Sequence, residues 1–133
     1  MIVLDASAAV AVFLNLGSGA SRIRERMAEE DDDLHVPHLF EVEVMNVLRR
    51  YSLSGALSQD RARLALSRLS TLRITRYPHT SLIERIWELR HNLTAYDATY
   101  IALAETLEAP LVTTDARLAR ASGIRAEVEI FGQ

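Results

Sequence analysis

Four carboxylates stand out because of the residues around them. Asp5 follows the apolar run Ile2-Val3-Leu4, and Asp115 follows Leu111-Val112-Thr113-Thr114. Each marks the carboxyl end of an expected buried strand, and in open α/β sheets ligands bind at that edge. Either residue could instead serve only as the N-cap of the helix that follows, a role Asp fills well. Asp97, within Thr94-Ala95-Tyr96-Asp97, could close a capping box. Yet residues 95–104 carry no other charge, so this helix is expected to be buried on most sides, with Asp97 on one face with Tyr100, Ile101 and Ala104. A buried carboxylate without a partner is costly. Glu43 lies within Leu39-Phe40-Glu41-Val42-Glu43-Val44-Met45-Asn46-Val47-Leu48 and shares a face with Leu39, Asn46 and Val47. Periodicity alone does not separate it from Glu41.

Gathered in one pocket, such carboxylates repel by about 4 kcal/mol per pair at about 4 Å and an effective dielectric of about 20. Protons or a bound cation must offset that. Oxygen donors without cysteine suit Mg²⁺ or Mn²⁺. These ions hydrolyse phosphodiesters by polarising the phosphoryl oxygen and activating a water for in-line attack. His35, His38, His79 and His91 are scattered over loops and helix edges, and the chemistry requires none of them.

The elements that must position these acids follow from patterning. Met1–Leu4 reads as a buried strand and Ala6–Leu14 as a helix apolar nearly all round, broken by Gly17-Ser18-Gly19. Ser21–Glu30 reads as a surface helix, Asp31-Asp32-Asp33 as a solvated turn, and Leu34–Val36 as a strand stopped by Pro37. Leu39–Tyr51 and Gln59–Leu69 form a helical hairpin around Gly55. Arg73–Tyr77 is an expected strand, and Ser81–Arg90 and Ala95–Leu107 are helices, the second capped by Thr94. Pro110–Thr113 is a strand, Ala116–Ala121 a short helix ended by Gly123, and Glu127–Phe131 a final strand. Short strands alternating with helices imply an α/β fold, a short parallel sheet between helices.

The chain has 133 residues, 49% hydrophobic and 25% charged, which suits one domain spanning 1–133 that buries roughly two-thirds of its unfolded surface. Cysteine is absent, which excludes disulfides, thiolate zinc sites and Cys nucleophiles. All 15 basic residues are Arg. Without lysine, P-loop hydrolysis, Schiff bases, Ser-Lys dyads and Asp-Lys phosphoryl-transfer sites are excluded. That removes receiver domains and haloacid-type phosphatases, which also use a strand-end Asp. The net charge of −3 argues against a broad surface for duplex DNA. No apolar run can span a bilayer, and the first segment lacks the basic start of a signal peptide, so a cytoplasmic protein is expected.

Taken in order, Asp5-Ala6-Ser7, Glu43-Val44-Met45-Asn46-Val47-Leu48, Tyr96-Asp97-Ala98-Thr99-Tyr100-Ile101-Ala102-Leu103-Ala104 and Thr113-Thr114-Asp115-Ala116-Arg117-Leu118 resemble the PIN domain, and within it the VapC toxins of bacterial toxin–antitoxin pairs. The resemblance implies a three-layer α/β/α sandwich, a Mg²⁺- or Mn²⁺-dependent endoribonuclease, a VapB-like antitoxin that holds it inactive, and a homodimer. It places Asp5, Glu43, Asp97 and Asp115 on the family's acidic quartet and decides for Glu43 over Glu41. Asp5 and Asp97 are the expected direct metal ligands. Glu43 and Asp115 either ligate through water or complete a second metal site. Ser7 and Thr114 fall on positions that support the first and last acid. The implied alternatives are a PIN-like protein-interaction module and an RNA-processing nuclease outside any toxin–antitoxin pair.

RNA must be held by positive charge. Arg61, Arg63, Arg68, Arg73 and Arg76 cluster in sequence around the second half of the hairpin and the strand after it. They read as either a solvated surface or a phosphate groove. Trp87 and Tyr51 are expected to be core or interface anchors.

Overall fold

A computed structural model describes residues 1–31 and 33–132. Asp32, in the middle of the expected acidic turn, lies outside the described residues. The strands are β1 (Ile2–Leu4), β2 (Leu34–Pro37), β3 (Ile74–Tyr77), β4 (Leu111–Thr113) and β5 (Val128–Ile130). They form one sheet in the order β3-β2-β1-β4-β5, with every neighbouring pair parallel. The chain therefore builds outward from β1 to one side, then returns to the other. The reversal falls between β1 and β4, the topological position where doubly wound sheets open a crevice at their carboxyl ends.

Helices α1 (Ala6–Leu14), α2 (Gly19–Glu29), α3 (Phe40–Leu53) and α4 (Gln59–Thr71) pack on one another through α1. In the other helical layer, α6 (Ala95–Leu107) packs on β1, β2 and β4, with α5 (Ile83–Glu88) against it. The short α7 (Ala116–Arg120) lies on β5. The result is the expected α/β/α sandwich. Both faces of the sheet are covered, so β1 and β4 are fully buried apolar runs rather than alternating ones. Helix α1 is buried along most of its length, and so is α6 from Ala98 to Ala104.

Local chemistry sets the element ends. Helix α1 starts at Asp5, whose side chain accepts from the Ala8 N–H, and ends at Asn15 in the left-handed region (φ 54°). Ser58 and Thr94 cap α4 and α6 by accepting from Arg61 N and Asp97 N. Strand β2 includes Pro37 rather than stopping before it. Its pairing with β1 reaches only to His35, so the donor that proline lacks falls beyond that ladder, while Pro37 still lies in register with Tyr77. The expected helix over Ser81–Arg90 is divided, a 3₁₀ turn at Thr80–Leu82 leading into α5. Trp87 is not in the core: it is 66% exposed, with the Arg90 guanidinium 4.6 Å above its ring.

Candidate active site

Asp5 ends β1 beside the crevice and is itself 7% exposed. Its Oδ1 accepts from Ser7 Oγ at 2.7 Å and from the Ala8 N–H at 2.9 Å. Its Oδ2 accepts from the hydroxyl of Thr113. A carboxylate has about four acceptor sites, so one lone pair, on Oδ2, stays open. Capping and ligation are thus compatible in Asp5, because Oδ1 does the first and Oδ2 is open to the second. The second hydroxyl on Asp5 is that of Thr113, which the sequence patterning does not single out, whereas Thr114 is expected only beside the last acid, Asp115. Strand alternation turns the Thr113 side chain towards Asp5, while Thr114 contributes its N–H to Ser7 Oγ at 3.2 Å.

Glu43 projects from the first turn of α3. Glu41 turns away and pairs with Arg76 on β3, which separates the two glutamates that periodicity left equivalent. Glu43 Oε1 and the hydroxyl of Tyr100 on α6 are both buried without a hydrogen-bond partner. Asp97 stands in the first turn of α6, half-buried, where the Thr94 hydroxyl accepts from its N–H at 3.1 Å. Asp115 begins α7. Its Oδ1 accepts from the Arg117 N–H at 3.0 Å, and the Arg117 guanidinium lies across both its oxygens. The same guanidinium is 3.9 Å from Asp97.

Electrostatics join these four side chains into one group. Burial holds the Asp5, Glu43 and Asp97 carboxyls above their ordinary range. Hydrogen bonds from Thr113, Ser7 and Ala8 oppose this at Asp5, the nearby Tyr100 hydroxyl, though not within hydrogen-bond geometry, opposes it at Glu43, and the charge of Arg117 opposes it at Asp97. Asp97 raises both Asp5 and Glu43, Asp5 raises Glu43, and Asp115 raises Asp97. Asp115 alone is held low, by its bond to Arg117. Tyr100, pushed upward by burial and by the charge of Glu43, stays a phenol. Among the described residues, no three acidic or imidazole side chains stand close enough to bind one ion together. The donor chemistry nevertheless fits a hydrated Mg²⁺, which keeps several waters and is held through one or two carboxylates. Asp5 Oδ2 and Glu43 Oε1 both have unused acceptor capacity for it.

The five arginines expected around RNA are not gathered with these acids. Arg61 and Arg68 donate to the carbonyls of Leu14 and Phe13, at the end of α1 opposite Asp5. Arg76 is paired with Glu41, and Arg63 and Arg73 are exposed on α4 and before β3. Two clefts that do border quartet residues are lined by other arginines. Arg90, Arg117 and Arg120 stand beside Asp97, and Arg49 beside Glu43. Sequence reading missed Thr113, Tyr100 and Arg117. The signal for Tyr100 was present, as it sits one turn after Asp97 on a helix face otherwise free of charge. Among the histidines, His35 is fixed between Tyr77 and Asp33, and His79 accepts from the Leu39 N–H.

The fold and site define a parallel α/β protein that gathers acidic side chains at the switch point of its sheet. The PIN domain family matches residues 2–124. Ribonuclease VapC1 of Mycobacterium tuberculosis is 46% identical over 129 residues, covering 96% of each chain. A VapC ribonuclease of Mycobacterium bovis is 50% identical over 118 residues, covering 89% of this chain and 88% of that one. The crystal structure of M. tuberculosis VapC20, a sarcin-ricin loop cleaving toxin, superposes with a TM-score of 0.69 at 20% identity, over 93% of this chain and 96% of that one. The chain belongs to the PIN-domain family, among its VapC ribonucleases.

Proposed function

We propose that this protein is a divalent-metal-dependent endoribonuclease toxin, cytoplasmic and homodimeric, restrained by a VapB-like antitoxin. The observation that carries this reading is a set of acids withdrawn from solvent, Asp5 buried and Glu43 and Asp97 half-buried. Asp5, Glu43 and Asp97 come from three different elements, Asp97 raises the other two and Asp5 raises Glu43, and Asp5 and Glu43 keep unused acceptor oxygens. Buried like charges are stable only with protons or a cation. The enzyme's relatives named as VapC ribonucleases support RNA as substrate. A solved neighbour at 15% identity and a TM-score of 0.68, VapBC2 of Rickettsia felis bound to promoter DNA, supports an antitoxin partner. No helix of the described residues is long and apolar enough to cross a membrane.

Asp5 and Asp97 would hold a hydrated Mg²⁺, or Mn²⁺ in its place, with Glu43 reaching it through water. Asp115 would act from an outer position once Arg117 releases it. A divalent cation there supplies charge against that developing on the phosphoryl oxygens and makes the attacking water more acidic. Ser7 and Thr113 fix the Asp5 rotamer and leave one Oδ2 lone pair without a hydrogen bond. Tyr100, un-ionised, has a hydroxyl hydrogen to place on Glu43 or on a water between them.

The test incubates the protein with structured RNA and Mn²⁺, with and without EDTA, beside Asp97→Asn. Cleavage by wild type alone, abolished by EDTA, is expected. Identical RNA patterns from wild type and Asp97→Asn would return the chain to the interaction-module reading.

A further inference from the structure

The cleft beside Asp97 has a composition the acidic site does not explain. It is about 590 Å³ and lies between the α5–α6 connection and α7. Arg90 and His91 line one wall, Arg117 and Arg120 the other, and Asp97 is the acid at its border. Asn92 Nδ2 donates to the Ser122 carbonyl at 2.9 Å and ties the two walls together. Arg90 is held in place, donating to the Trp87 carbonyl at 2.9 Å and lying over the Trp87 ring. Arg117 is 73% exposed at its side chain, so it can move between the acids and the cleft. The charge of Arg120 acts on Asp115. A net negative chain thus concentrates arginines against the one acidic site where a polyanion would be cut.

We propose that this cleft is the subsite for an RNA phosphate next to the scissile one, held by Arg90 and Arg120, with Arg117 moving onto the strand when it leaves Asp115. The inference rests on the nuclease reading above and assigns its substrate a direction, from the acids across α7. Arginine suits the role, because its planar guanidinium can bind phosphate oxygens in pairs. A repeating phosphate backbone also guarantees that a second anion lies one nucleotide from the first. The occupant is therefore fixed by the site it adjoins.

The test measures binding apart from cleavage. A short fluorescein-labelled single-stranded RNA is titrated by anisotropy in EDTA across a salt series. Wild type is compared with Arg90→Ala/Arg120→Ala, with Arg120→Glu, and with the charge-matched surface pair Arg22→Ala/Arg50→Ala. A single strand loses about 0.7 in log–log salt slope per phosphate contact, so the cleft pair should flatten it by about 1.4 and weaken binding on the order of tenfold near 0.1 M salt. Arg120→Glu should weaken it further, and the Arg22/Arg50 pair should stay near wild type. Circular dichroism confirms that the variants are folded.

If wild type cleaves RNA with Mn²⁺ but the cleft variants bind with its affinity and slope, the subsite is wrong and the nuclease reading stands. If wild type neither binds nor cleaves RNA, both fall. If the cleft variants bind RNA normally and lose only the antitoxin, the cleft belongs to a protein partner and the proposal is overturned.

Discussion

Thr113 donates its hydroxyl hydrogen to Asp5 Oδ2 across the β1–β4 boundary, and Thr113 Oγ1 in turn accepts from the Asp115 N–H at 3.0 Å. Ser7 repeats the pattern, accepting from the Thr114 N–H at 3.2 Å and donating to Asp5 Oδ1 at 2.7 Å. An ionised carboxylate only accepts, so each hydroxyl gives its one hydrogen to Asp5 and takes the backbone N–H on a lone pair. The turn that carries Asp115 thereby orients the carboxylate of Asp5.

Thr113→Val should therefore do more harm than Thr114→Val. Valine matches the shape of threonine but leaves a buried carboxylate oxygen and the Asp115 N–H without partners, at about 1–3 kcal/mol. Thr114→Val should stay within about 0.5 kcal/mol. Urea denaturation compares the two, and RNA cleavage should fall in the first only. Equal losses would mean that the relay does not orient Asp5.

These details mark where sequence reading stops. The strands ending at Asp5 and Asp115 were legible because short apolar runs stop abruptly at a charge. Helix α6 was legible because Thr94 caps it and its charge-free stretch exposes Asp97 as anomalous. The choice between Thr113 and Thr114 was not, since two adjacent threonines at a strand end differ only in the face they reach. The spatial grouping of the arginines was not legible for another reason. Proximity in sequence grouped Arg61, Arg63, Arg68, Arg73 and Arg76, but α4 carries Arg61 and Arg68 to the far end of α1, where they serve helix carbonyls. Arg90, Arg117 and Arg120 are separated in the chain and line one cleft only because the α5–α6 connection and α7 flank it.

Away from the site, Arg85 grips Glu105 with Nε at 2.7 Å and Nη2 at 3.1 Å, and also reaches the Gly123 carbonyl at 2.8 Å. Glu105 has a side-chain exposure of 9% and accepts from the Arg125 N–H as well. Glu105→Ala leaves the partly buried Arg85 guanidinium only Gly123 and Glu88, and leaves the Arg125 N–H without its acceptor. It should cost about 2–3 kcal/mol, read as a lower urea midpoint with an unchanged slope. A loss below about 0.5 kcal/mol would show that this clamp is an ordinary surface pair.

Gly19 opens α2 against the C-terminal strand's exit. A Cβ there would meet Gly132 Cα and N at 2.9 Å, both backbone atoms that cannot rotate away. Gly19→Ala should destabilise by about 1–3 kcal/mol through forced backbone displacement, seen as a lowered thermal midpoint. Gly55→Ala provides the contrast: nothing lies within 4 Å, but φ is +82°, so its cost is conformational strain alone.

The carboxylates predict how stability responds to pH and metal. Burial holds Asp5 and Asp97 above the ordinary 3.8 and Glu43 above 4.5. The folded chain then binds more protons than the unfolded chain between those values and the raised ones. Metal-free stability should fall as pH rises through that window and level off above it. Asp115 acts in the opposite sense: held below 3.8 by Arg117, it contributes fully above that value and loses its contribution on further acidification. In EDTA, the urea midpoint of wild type should decline from about pH 4 upward, and Asp97→Asn should make the decline shallower because one raised group is gone. At neutral pH, Mn²⁺ should stabilise wild type by about 2.7 kcal/mol at a hundredfold excess over its Kd, and Asp97→Asn far less. If Asp97→Asn keeps the full decline and gains as much from Mn²⁺, the acids act as helix caps and the cation binds elsewhere.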